Sequence, residues 1–508
     1  MRTEHVDIVI IGTGAGGGTM VHALAGTGAR LLVVERGDVI PREPENWSPE
    51  AVWKNLRYRT TERWRGADGR EFVPYTHYCV GGNTKFWGSV LYRLRREDFC
   101  ATEHADGMSP AWPITYERLA PYYERAERLY HVHGDCGDDP TEPPRGPYPF
   151  PPVAHSSGMA AIVERLREQG LHPSPLPLGL VRPGELNGCQ LCNTCNSFPC
   201  QIDSKSDADV LCVRPATSQS NVTLWTNAFA RTITTNPAGS RAESVEIIRN
   251  GEPVRVHATL VIVSCGAVNS SALLLRSANA AHPRGLANSS GLVGKRYMAH
   301  LATMMQGFHP FQRNETVFQK TVAINDFYLR GPDSPYPLGQ IQSQGRTHGV
   351  MAQVVGDTMV RGIPRWAYDA WVARGVDWLA MSEDLPREDN RITIDPDGGI
   401  RLHYQPNNVQ AHTRLVRETE RILKRLGFWM VMKHSHLTRN TTHQCGTLVF
   451  GTDPRKSVLD TYCRTHDVEN LFVVDASFFP SSAAVNPGLT IAAQALRVAD
   501  HIKDTHLQ

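Results

Sequence analysis

The chain has 508 residues and carries 53 basic against 51 acidic side chains, a formal charge of +2. That length provides for about two to four domains with large cores, and the balanced charge excludes an electrostatic nucleic-acid binder, which needs a basic excess or stripe. Apolar residues make up 41%, an ordinary globular share, and no run approaches the ~18 apolar residues of a membrane helix. No apolar leader precedes the first strand-like run and the eleven cysteines are odd in number, so the expected setting is the cytoplasm, with free thiols and no membrane partner.

The first predicted unit runs from Asp7 to Glu35. Ile8-Val9-Ile10-Ile11 reads as a buried strand, a small-residue helix continues to about Gly28, and Leu31-Leu32-Val33-Val34 is a second strand, giving a βαβ unit. The turn Gly12-Thr13-Gly14-Ala15-Gly16-Gly17 follows the first strand directly. Gly12 permits the tight turn, Gly14 lets a pyrophosphate approach the backbone, and Gly17 allows close helix–strand packing. The free N–H groups of the helix start favour phosphate. Glu35 ends the second strand, where a carboxylate accepts from both ribose hydroxyls and repels a 2′-phosphate, so the adenosine diphosphate of FAD or NAD fits better than NADP.

Farther along, Asp135 to Pro152 is rich in Gly, Pro and acid and reads as a solvated loop or arm, with attraction of a cationic substrate as the rival reading. Cys189, Cys192, Cys195 and Cys200 fall within twelve residues. Packed thiols come first among the readings and no metal is assigned; an iron–sulfur run and a tetrahedral zinc site are the alternatives, although the bacterial ferredoxin spacing closes differently. The runs between Val222 and Cys265 read as antiparallel strands followed by a buried strand, with a helix from about Asn269 to Ser277. The aromatic stretch Trp366 to Trp378 reads as core rather than as a sugar-stacking platform. An amphipathic helix is expected from about Asn408 to Leu426, a buried strand at Leu471-Phe472-Val473-Val474, and a helix from Thr490 to Ile502. The return to buried strand and helix makes the first domain discontinuous, with a second domain inserted.

Two segments then narrow the choice. Val80-Gly81-Gly82-Asn83-Thr84-Lys85-Phe86-Trp87-Gly88 and Cys265 to Leu275 resemble the two signatures of the glucose–methanol–choline family of flavin oxidoreductases. Val474-Asp475-Ala476-Ser477 and Asn486-Pro487-Gly488-Leu489-Thr490 resemble its closing flavin motif. Within the family, Val80 to Phe99, Cys189 to Arg214, Ser382 to Pro386 and Asn390-Arg391 resemble bacterial glycoside oxidases related to pyranose oxidase. The resemblance implies an α/β fold: a Rossmann-like FAD-binding domain in three parts (1–110, 205–299 and 441–508), a cap with the Cys-rich loop (111–204), and an inserted antiparallel-sheet substrate domain (300–440).

Carried over by motif, Gly12, Gly14, Gly17 and Glu35 would hold the diphosphate and adenosine ribose. Gly81, Gly82 and Asn83 would lie beside pyrophosphate and flavin, the Val222 backbone near adenine, and Asp475 and Ala476 on the diphosphate side. Asn486, Pro487 and Leu489 would lie near the isoalloxazine. Some relatives bind flavin covalently through a histidine where this chain has Phe86, so noncovalent FAD is implied. Some that feed cytochromes carry an iron–sulfur cluster at about the place of the Cys-rich run.

His443-Gln444-Cys445-Gly446-Thr447 matches the family's catalytic pattern, with Asn486 as partner. A neutral imidazole can take a hydroxyl proton near neutral pH while hydride leaves the carbon, and an asparagine amide can orient the same oxygen. His300 is read as structural. The expected activity is oxidation of a sugar or glycoside hydroxyl, with oxygen or another electron acceptor. The rival substrate reading is an aminoglycoside primary alcohol. The rival class is a hydroxynitrile-type lyase with redox-idle FAD, since fold alone does not fix function.

Overall fold

The computed structural model describes residues 2–356, 362–435 and 441–507. Its central sheet draws strands from distant parts of the chain. Val222–Trp225, Leu31–Val34, Arg2–Ile11, Glu252–Val263, Ala242–Arg249 and Ala228–Thr235 lie side by side in that order, and Leu471–Val473 joins Glu252–Val263. The runs Ile8–Ile11, Leu31–Val34, Leu260–Val263 and Leu471–Val474 are buried throughout. That burial on both faces is why they are uniformly apolar rather than alternating. Helix Ala15–Leu24 starts immediately after the glycine turn and packs on the C-terminal helix Gly488–His506, as does Tyr116–Leu129.

One strand direction differs from expectation. Val222–Trp225 runs parallel to Leu31–Val34, with Val222 level with Leu31 and Trp225 level with Val34. A four-residue edge strand fixes side-chain alternation but not direction, and the antiparallel meander begins only at Ala228.

A second sheet is antiparallel throughout: Met430–Ser435, Leu301–Phe308, Gly375–Ser382, Gln340–Ser343, Val322–Ile324 and Pro173–Pro175. Helix Val409–Arg425 covers it through Ala411, Leu415, Ile422 and Leu423, with buried Thr419 on the same face between them. Trp378 is buried in this layer and belongs to the core, Trp371 is half-buried and stacks on Phe308 at 4.2 Å, and Trp366 is exposed. A third sheet links Cys445–Thr447, Lys295–Met298, Arg391–Ile394, Ile400–His403, Trp64–Gly66 and Glu71–Phe72.

The acidic loop is solvated over residues 135–138, as expected, while two of its later acids are engaged by arginines. Asp139 is buried against the Arg95 guanidinium and accepts from Asn325 at 2.6 Å, and Glu142 lies 3.6 Å from Arg145. Among the described residues no helix is long and apolar enough to cross a membrane.

Candidate active site

The glycine turn meets a second loop. Gly12 has φ +100°, and a Cβ there would lie 2.2 Å from the Ser264 carbonyl oxygen, so only glycine makes this turn. A Cβ on Gly17 would sit 2.0 Å from the Gly12 oxygen, the close packing that the fingerprint requires. Gly14 by contrast faces open space, and a Cβ on Gly82 would approach its Cα to 3.4 Å. The two loops are joined by the Thr13 hydroxyl, which donates to Glu35 at 2.5 Å and accepts from the Gly81 N–H at 3.0 Å. Glu35 also accepts from the Gly37 N–H at 3.0 Å, and burial pushes its carboxyl pKa up. A buried carboxylate served only by neutral donors suits the hydroxyls of a ribose.

Asn83 accepts from the His77 N–H at 2.9 Å, fixing the loop. Asp475 accepts from the Gly266 N–H, the Ser270 hydroxyl and the Ser477 N–H, so its carboxylate ties the Gly266–Ser270 turn to its own turn beside buried Ala476. Pro487 caps the C-terminal helix and Leu489 is fully buried. Val222 is not brought to this group. It lies at the far end of its strand from Glu35, whose backbone bonds instead to Trp225 and Ala228 at 2.8 and 2.9 Å. Trp225 to Ala228 therefore borders the Glu35 carboxylate, a neighbour that alternation alone could not reveal.

The catalytic-motif residues do meet. His443 leads into the strand Cys445–Thr447, whose pairing with Lys295–Met298 brings His300 alongside. Thr447 donates to the Ala267 carbonyl at 2.8 Å and Gln444 accepts from the Val268 N–H at 2.9 Å, anchoring both flanks. His443 itself has φ +49°, a left-handed conformation that costs a non-glycine residue about 1–3 kcal/mol. His300 Nδ1 lies 2.9 Å from His443 Nδ1, and His300 Nε2 lies 3.0 Å from the Ser482 carbonyl oxygen. The Ser482 hydroxyl bonds both backbone groups of Asp384 at 3.0 Å, which fixes that carbonyl.

These contacts set a proton order. A carbonyl only accepts, so His300 Nε2 carries hydrogen and the neutral ring's Nδ1 must accept. His443 Nδ1 is then the donor, and its Nε2 holds a lone pair, 3.5 Å from the Asn486 amide nitrogen. Burial, with help from His300 and Lys320, lowers the His443 pKa to about 3. Asn486 Oδ1 and the indole nitrogen of Trp87 are buried without hydrogen-bond partners among the described residues. The Trp87 ring packs against Gly488, two residues beyond Asn486. Orphaned groups of this kind fit a polar heterocycle and a hydroxylic substrate between the glycine loops and His443. His300, read from sequence as structural, thus touches the predicted base. Its motif carries no periodic signal, and the contact spans 143 positions.

Phe86 is buried and stacks on His77 at 3.7 Å. Cys189, Cys192, Cys195 and Cys200 line one small cavity with Trp47 and Lys205. Among the described residues no group of three or more His, Cys, Asp or Glu has the geometry to hold a metal ion.

Comparison with known proteins gives consistent matches. Two family models described as GMC oxidoreductase match residues 6–302 and 386–495. The chain is 30% identical to paromamine 6'-oxidase of Streptomyces fradiae, covering 97% of this chain and 90% of that one. It is 31% identical to 6'''-hydroxyparomomycin C oxidase of Streptomyces lividus, over 98% and 92%. The structure of pyridoxine 4-oxidase from Mesorbium loti superposes with a TM-score of 0.70 at 18% identity, over 99% of this chain and 100% of that one.

Proposed function

The chain belongs to the GMC oxidoreductase family and acts on CH–OH groups, and from that premise we propose that it oxidises a sugar or glycoside hydroxyl to a carbonyl with noncovalently held FAD. The observation that carries this reading is the His300–His443–Asn486 cluster, in which the lone pair of His300 Nδ1 is taken by His443 and the bare nitrogen of His443 is Nε2, beside Asn486. FAD, when bound, accepts the hydride. Gly12 makes the turn, Gly14 and Gly82 would leave room for its diphosphate, and Glu35 would hold its ribose. Phe86 offers no nucleophilic nitrogen for a covalent link. Asp475 would support the cofactor site by holding the Gly266 turn.

His443 Nε2 takes the hydroxyl proton, a step worth roughly 10²–10⁴ in rate. Asn486 holds the same oxygen by its amide and orients the carbinol C–H. His300 keeps the proton of His443 on Nδ1 and, with Ser482, fixes the ring. Such a second partner fixes the tautomer and the orientation of the ring it supports.

The relatives' names favour one further reading, an aminoglycoside alcohol as substrate. The acids of the loop at 135–142 do not speak for it, since Asp139 and Glu142 are occupied by Arg95 and Arg145. Anaerobic addition of neutral glycosides, acid glycosides and aminoglycosides tests the proposal: the oxidised flavin absorption should bleach with a glycoside. A holoenzyme that no alcohol bleaches would remove it.

A further inference from the structure

Lys320 precedes the strand Val322–Ile324 and is almost wholly buried. Its ammonium donates to Asn196 Oδ1 at 3.0 Å, and no carboxylate among the described residues pairs with it. The amine lies directly over Gly88: a Cβ there would fall 1.7 Å from Nζ and 2.3 Å from Asn196 Oδ1. Gly88 adjoins Trp87, which packs on Gly488 two residues from Asn486, and the charge of Lys320 is felt at His443. The ammonium therefore stands beside the catalytic cluster. Burial lowers its pKa to about 8, which leaves it protonated at neutral pH.

A second cation lies nearby. Arg59 stacks on Tyr75 at 4.0 Å, and one of its terminal nitrogens is buried without a partner among the described residues. It lines a small cavity with Phe86, His77 and Ser197, the residue next to Asn196. Asn196 and Ser197 are themselves held in place. The Ser197 N–H bonds the Phe86 carbonyl at 2.9 Å, and the side chain of Asn196 abuts Gly345. The buried Lys320 ammonium and the half-buried Arg59 with its one buried nitrogen, neither paired with a carboxylate among the described residues, flank one rigid dipeptide, an arrangement that a ligand of opposite charge would stabilise.

We propose that Lys320, seated over Gly88 by Asn196 and backed by Arg59, is the charge-reading residue of the substrate site. It receives the carboxylate of a sugar acid or acidic glycoside and turns away ammonium-bearing sugars. The inference rests on the preceding reading that a sugar hydroxyl is oxidised at His443, and it adds the charge class of that sugar.

Calorimetric titration of the oxidised holoenzyme with methyl glucuronide, methyl glucoside and methyl glucosaminide tests it. The uronide should bind at least about tenfold tighter than the amino sugar, and Lys320→Met should bring the three within about threefold of one another, whereas Lys320→Arg preserves the order. Gly88→Ala, which displaces the amine without removing it, should flatten the order as well and serves if the methionine variant fails to fold. Equal or tighter binding of the amino sugar, an order unchanged in Lys320→Met, or no binding of the uronide each overturns the proposal. Flavin bleaching in the same samples separates the two readings. Lys320-dependent uronide binding without bleaching upholds charge recognition and counts against sugar oxidation, and bleaching without Lys320 dependence does the reverse.

Discussion

A hydroxyl proton can pass to His443 only if Nε2 arrives bare, and a chain of acceptors decides that: the Ser482 carbonyl, then His300 Nδ1. His443→Ala should therefore retain FAD but reduce it at least about 10²-fold more slowly in stopped-flow with substrate. Near-normal reduction would remove His443 as the base. His300→Phe breaks the order one step back. It should slow reduction by about tenfold or more and leave glycoside binding within a few-fold, with His300→Gln recovering part of the rate, since glutamine can still accept from Nδ1–H. The depressed pKa gives a pH test with a definite sign. A base whose pKa falls to about 3 stays unprotonated wherever pH exceeds that value, so the rate of flavin reduction should be level between about pH 5 and pH 8. An acid limb near the ordinary histidine value of about 6.5 would contradict it. His443 and Asn486 were legible because each sits in a compact motif. His300 and Ser482 were not, because their roles exist only once residues 143 and 182 positions apart are packed together.

At the scale of the element, the Cys-rich loop acts as a clamp. Lys205 donates to the carbonyls of Lys85, Cys195 and Phe198 at 3.2, 2.7 and 2.6 Å. Through them it fixes the loop to the Gly81–Gly88 turn, while His348 reaches the Asn193 carbonyl at 3.1 Å. Lys205→Met would leave three buried carbonyls unserved, each costing about 1–3 kcal/mol. A clear fall in melting temperature is expected by differential scanning fluorimetry, and a variant as stable as the wild type would refute the clamp. Phe86 belongs to the same turn. Acid precipitation should release all the flavin to the supernatant, and yellow colour kept in the pellet would disprove noncovalent binding. The glycine turn, the buried strands and the amphipathic helix at Val409–Arg425 were readable because each expresses a local steric or periodic rule. The direction of Val222–Trp225 was not, because it depends on which neighbour the strand finds. The acidic loop was readable only in part: composition points to solvent exposure, which holds at residues 135–138, but only the fold supplies Arg95 and Arg145 to Asp139 and Glu142.

Across the whole molecule, the site stands where three sheets meet. Glu35 and the glycine turn come from the mixed sheet, His443 enters the third sheet, and His300 sits between Lys295–Met298 of that sheet and Leu301–Phe308 of the second. Lys320 comes from the second sheet's other side and Asn486 from the start of the last helix. This arrangement explains why the chain crosses between layers so often and why its near-zero net charge is uninformative about its substrate. The charges that matter are a few inside the fold, the buried Lys320 and the half-buried Arg59 among them. The most direct test of the account is anaerobic stopped-flow reduction of the holoenzyme by glycosides, run side by side on wild type and His443→Ala. Rapid bleaching in the wild type, slowed at least about 10²-fold in the variant with FAD still bound, is the predicted result. Absence of bleaching with any glycoside, or equal rates in the two proteins, would contradict it.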